Sequence, residues 1–150
     1  MRKLMVILSL VVLAVPVAAL ADAPPSPAQT ANAMCAAAKT AMGPSFATAY
    51  GTNASKANAF GKCVSSHASA AKDAVQNAAK TCKSKSLPKG ELGKCVSQAV
   101  QSAVAAQAKA SKAALKSCLA DRKASKSSFA TTYGTGGDAL GKCVTAKSTK

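Results

Sequence analysis

Six cysteines stand in a frame that recurs along the chain, and no other feature limits its fold as strongly. Cys35 is followed by ten residues and then by Phe46-Ala47-Thr48-Ala49-Tyr50-Gly51-Thr52. Cys118 is followed by ten residues and then by Phe129-Ala130-Thr131-Thr132-Tyr133-Gly134-Thr135. The first block closes with Phe60-Gly61-Lys62-Cys63-Val64-Ser65, the last with Leu140-Gly141-Lys142-Cys143-Val144-Thr145. Between the Thr and the closing Gly lie eight residues in the first block and five in the last. A middle block keeps only the ends, Cys82 and Leu92-Gly93-Lys94-Cys95-Val96-Ser97, and lacks the aromatic segment. Such self-similarity reads as tandem degenerate units, over about 35–65, 82–97 and 118–145.

What the cysteines do depends on where the chain goes. Met1-Arg2-Lys3 precedes an apolar run from Leu4 to Leu20, broken only by Ser9 and Pro16. Charge, apolar stretch and the small residues around Leu20 match a secretory leader over 1–21, with Ala21-Asp22-Ala23 as a second cleavage site. The alternative is a membrane anchor, for which the run is at the short limit. No later segment is long and apolar enough to span a bilayer, so the exported chain is expected to be soluble. Export with an even cysteine count favours disulfides over metal or redox chemistry. Six cysteines admit 15 pairings. The recurring unit singles out neighbours: Cys35–Cys63, Cys82–Cys95 and Cys118–Cys143.

The blocks resemble a family of secreted bacterial proteins, mainly actinobacterial, that carry Ala-Phe-x-x-x-Tyr-Gly-Thr-Asn followed by Asn-Ala-Phe-Gly-Lys-Cys-Val-Ser. The first block fits best, at Phe46 to Asn53 and Asn58 to Ser65. The last lacks the Asn after Thr135 and has Ala139-Leu140 for Ala-Phe, and the middle departs most. The resemblance implies bacterial export and nothing about mechanism.

Bulk is scarce beyond the leader. After residue 21 only 14 residues are Leu, Val or Phe, with no Ile, whereas 32 are Ala. Alanine forms helices readily and lets them approach closely, but each one buries little area. Covalent staples are the natural remedy. The expected fold is therefore all-α: three degenerate helix-turn-helix repeats in a small disulfide-stapled array or bundle. A Pro-rich lead-in over 22–32 precedes a single domain over 33–147 and a tail over 148–150. Helices are expected from about Ala28 to Met42, Ser55 to Lys83, and Glu91 past Cys118, with a short turn from Pro44 to Tyr50 capped by a left-handed Gly51. The third helix has room to continue to Tyr133, and a fourth follows Asp138. At about 100° per residue, Phe60, Val64, Ala68, Ala71, Val75, Ala78 and Cys82 share one face of the second helix. Leu92, Val96, Val100, Val104, Ala114 and Cys118 do so on the third.

Few residues point to chemistry. Phe46/Tyr50 and Phe129/Tyr133 are spaced i, i+4 and share a helical face. A ligand-stacking platform is one reading; a small core under each hairpin is the favoured one, because a helix stop follows directly. His67 is the single histidine, without an acid within four residues, and is expected on a solvated helix face. The acids are scattered singly, and there is neither a Cys-x-x-Cys nor a phosphate-cradling glycine loop. No catalytic residue, metal or cofactor is expected.

Charge is the remaining lead. Losing Arg2 and Lys3 with the leader takes the formal charge from +15 to +13. On a continuous third helix Lys94, Lys109, Lys112, Lys116 and Lys123 fall within an arc of about 60°. Such a stripe suits a polyanion: a cell-envelope polymer, nucleic acid, anionic polysaccharide or lipid headgroups. The alternative is a solvated face that keeps an Ala-rich protein soluble. Arg122 is the only arginine after the leader, which disfavours bidentate reading of DNA bases. The expected role is secreted, non-enzymatic structure or binding. A membrane-active, antimicrobial role ranks second, since Ala/Val faces insert poorly into lipid.

Overall fold

The computed structural model describes residues 23–149. The leader expected over 1–21 lies outside the described residues, as does Asp22. The described residues form six helices and no strands: α1 (Pro27–Met42), α2 (Ser45–Tyr50), α3 (Ala59–Lys83), α4 (Glu91–Ala124), α5 (Lys126–Tyr133) and α6 (Ala139–Ser148). Helix α1 lies against α3 and α4, α6 lies along α4, and the short α2 is held between α3 and α6.

Three disulfides staple the helices: Cys35–Cys63 ties α1 to α3, Cys82–Cys95 ties the end of α3 to the start of α4, and Cys118–Cys143 ties α4 to α6. Their Cα atoms lie 5.9, 5.9 and 6.0 Å apart. This is the neighbour pairing expected from the sequence. From Cys63 to Cys82 and from Cys95 to Cys118 the chain is unbroken helix. Every interruption between Cys35 and Cys143, at 43–44, 51–58, 84–90, 125 and 134–138, falls inside a disulfide-closed loop.

The first and last bridges share one core. Around them pack Met42, Phe46, Tyr50, Leu115, Phe129, Leu140 and Val144. The middle bridge belongs to a separate, smaller cluster with Val96, Val100 and Ala78 at the tip of the α3–α4 hairpin. A third group joins Ala31 and Met34 of α1 to Ala71 of α3.

Several boundaries differ from expectation. Residues 27–32, counted with the lead-in, form the first turns of α1, which begins at Pro27, one residue before the helix start expected at Ala28. Ser26 and Gln29 form a reciprocal capping box, with Pro27 opening the helix; this pairing supplies the orphan N–H groups of the first turn with acceptors. Ser148, assigned to the tail, is the buried last residue of α6. Gly51 is not left-handed but extended, at φ −75°; glycine is needed there because a Cβ would stand 2.6 Å from the Ala47 carbonyl oxygen. The long helix does not continue to Tyr133. It stops at Ala124, where Ser125 turns extended and its hydroxyl caps the new helix α5 at the Ser128 N–H. Phe60 and Leu92, placed on buried faces, are 37% and 38% exposed. The buried face of α3 is rotated toward Ala59, Cys63, His67 and Ala71, because the bridge to α1 fixes Cys63 inward.

Candidate anion-binding face and a buried polar cluster

Helix α4 is continuous from Glu91 to Ala124, so Lys94, Lys109, Lys112, Lys116 and Lys123 stand on one rigid element. All five are exposed. From first to last the row is about 44 Å long, and it lies roughly 130° around the helix from the buried face of Val100, Ser111 and Cys118. Lys94 is paired with Glu91 at 2.9 Å, which compensates the N-terminal end of the row. Among the described residues no carboxylate pairs with Lys109, Lys112, Lys116 or Lys123. Two other acids are engaged elsewhere, Asp138 with Lys142 at 2.8 Å and Asp121 with Lys147 at 2.6 Å. The row thus presents a one-signed field toward solvent.

The aromatic motif is not a platform open to ligands. Phe46 and Tyr50 are buried with their rings 5.1 Å apart, and Phe129 is buried with Tyr133 at 5.0 Å. Both pairs join the core shared by the first and last bridges.

His67 overturns its expected place. It is fully buried, and its Nε2 lies 3.1 Å from the Tyr50 hydroxyl. The rotation of α3 that carries Cys63 inward carries His67, one turn later, under α2. Around the pair is a small polar island. Burial raises the Tyr50 phenol above its ordinary value, with the Ser111 and Thr145 side chains close by, and the Thr145 hydroxyl has no hydrogen-bond partner. Gln107 donates to Ser148 at 2.9 Å beside them. Nothing pairs with His67 Nδ1. A second proton on the ring would therefore be buried and unpartnered, and burial holds the imidazole below its ordinary 6.5. Among the described residues no three side chains of metal-ligating type converge, and no helix is long and apolar enough to cross a membrane.

The titration has a definite sign. The folded state favours neutral His67, so its stabilising contribution is complete above the unfolded value of about 6.5 and falls as pH drops below it. The thermal midpoint is expected to fall between pH 7.5 and 5, and His67→Gln to flatten that slope. Asp138, held below the carboxylate range chiefly by its hydrogen bond from Lys142, responds at lower pH and leaves this window clear. An unchanged slope in His67→Gln would assign the pH dependence elsewhere.

No family model, curated protein or solved structure matches the chain.

Proposed function

We propose that this is an exported, non-enzymatic protein that binds an anionic cell-envelope polymer through the lysine face of α4. The observation that carries the reading is the row itself: Lys109, Lys112, Lys116 and Lys123, exposed and unpaired with any described carboxylate, on one uninterrupted helix. Lysine presents a compact point charge, suited to a repeating phosphate or carboxylate backbone rather than to one shaped ligand. Export is supported by the leader-like start at Met1–Ala21 and by three disulfides, which persist in oxidising compartments. The resemblance to secreted bacterial proteins on Phe46–Asn53 and Asn58–Ser65 points the same way. In this reading the three cysteine units are degenerate copies of one stapled hairpin.

Binding at low salt proves little, because a charge of this size attracts any polyanion. The test holds net charge fixed. Lys109, Lys112 and Lys116 are changed to Gln in one variant, and Lys39, Lys72 and Lys80 in another. The second set is exposed and spread over α1 and α3. Lys56 does not serve as a control, since its Nζ donates to the Gly51 carbonyl at 2.9 Å. Affinity for long-chain polyphosphate is expected to drop roughly tenfold to a hundredfold in the α4 variant and far less in the other. The salt dependence of log affinity should lose up to about three units of slope in the α4 variant. Equal losses would reduce the row to a solvated face.

A further inference from the structure

A cavity of about 730 Å³ opens where the end of α4, helix α5, the 134–137 loop and the start of α6 meet. Its apolar lining includes Leu119, Phe129 and Leu140, and its cations are Arg122, Lys123, Lys126 and Lys56. No carboxylate lines it. The acids nearest in sequence, Asp121 and Asp138, are held by Lys147 and Lys142.

The opening has a cause in the sequence. In the first cysteine block the loop after Tyr50 folds back so that Lys56 covers Gly51, and a Cβ on Gly51 would meet the Lys56 side chain at 2.7 Å. The last block has three residues fewer there and runs Gly134-Thr135-Gly136-Gly137. It has no lysine to close over Gly134, where a Cβ would meet nothing within 4 Å. The shorter loop of the last block thus leaves the space beside Gly134 uncovered.

We propose that this cavity binds a small amphiphilic anion, a phosphate-type head group carrying an apolar body the size of one ring or a short chain. Four cations around a concave, partly apolar space concentrate field on a compact anion. Arg122 supplies a planar fork matched to phosphate oxygens, which no lysine of the α4 row supplies. Leu119, 39% exposed, offers the apolar body a surface with Phe129 and Leu140 behind it. The volume is within the range of small-molecule sites. The site goes beyond the polymer reading: it needs one head group, not a chain of them, and does not depend on Lys109, Lys112 or Lys116.

The experiment titrates the oxidised protein with phenyl phosphate and with inorganic phosphate by calorimetry at about 150 mM salt. Phenyl phosphate is expected to bind about tenfold or more tighter than inorganic phosphate. Arg122→Gln with Lys126→Gln should weaken it by a similar factor, while Lys109→Gln with Lys112→Gln, an equal loss of charge, should leave it within about twofold. Leu119→Ser, at a surface position, should shrink the preference for phenyl phosphate, with circular dichroism confirming an intact fold in each variant. Absence of saturable binding, equal affinity for the two anions, or equal weakening in the two double variants would overturn the site. Retained phenyl phosphate binding alongside failed polyphosphate binding would separate it from the polymer reading.

Discussion

In excess reductant at 37 °C most of the helical circular-dichroism signal is expected to vanish. The bridges close consecutive loops of 28, 13 and 25 residues' separation. In the chain-entropy model each removes about 3 to 3.6 kcal/mol of freedom from the unfolded chain, about 10 kcal/mol together. A small domain has about 5–15 kcal/mol in total. The core offers little to replace that, being largely alanine and cysteine around a few large side chains. The three losses should not be equal. Replacing Cys82 and Cys95 by Ser opens the shortest loop, in the smaller cluster, where Cys95 is only half-buried. Replacing Cys118 and Cys143 opens the main core, where both are fully buried, and should cost clearly more. A cooperative, undiminished melt in reductant would show that apolar packing alone suffices.

Gly61 and Gly141 occupy the same place in the same Gly-Lys-Cys-Val sequence, yet alanine at the two is expected to act with opposite sign. A Cβ on Gly141 would stand 2.7 Å from the Ala49 carbonyl oxygen and 3.3 Å from a ring carbon of Tyr50. The first contact is backbone, so α2 and α6 must part, and with them the wall over Tyr50 and His67. Overpacking of this kind costs about 1–3 kcal/mol, more than the helix propensity that alanine adds. A Cβ on Gly61 meets nothing within 4 Å. There Gly61→Ala should stabilise by up to about 1 kcal/mol. Urea melts of the two single variants read the difference directly; a shift of the same sign in both would mean that α2 does not hold its close approach to α6.

That contrast shows where local sequence stops being informative. The bridges were legible because cysteine pairing follows a covalent frame that recurs, and the helices because alanine-rich segments have few alternatives. The start of α1 was legible too: the helix expected from about Ala28 begins at Pro27, with Ser26 and Gln29 as its capping box. The break at Ser125 had weaker notice: no Gly or Pro stands between Cys118 and Phe129, and the capping Ser125 is one of three serines there. The burial of His67 had none. Which face of α3 turns inward is decided by Cys63 and by α2 lying across it, contacts distant in sequence. The α4 lysines follow helical spacing and so were readable. The cations of the cavity come from α4, α5 and a loop in another block, and only folding brings Lys56 to Arg122 and Lys126.

The placement of every chain interruption between Cys35 and Cys143 within a bridged loop bears on how the protein withstands digestion. Trypsin-like proteases need an extended segment around a lysine or arginine, and most of this chain's basic residues sit on helices. Lys56, Lys85 and Lys89 lie in irregular segments, the first inside the Cys35–Cys63 loop and the others inside Cys82–Cys95. A cut at any of them leaves both new ends tied to the same molecule. A protein nicked once would remain one covalent molecule, heavier by a single water, and keep most of its helices until its sulfurs were reduced.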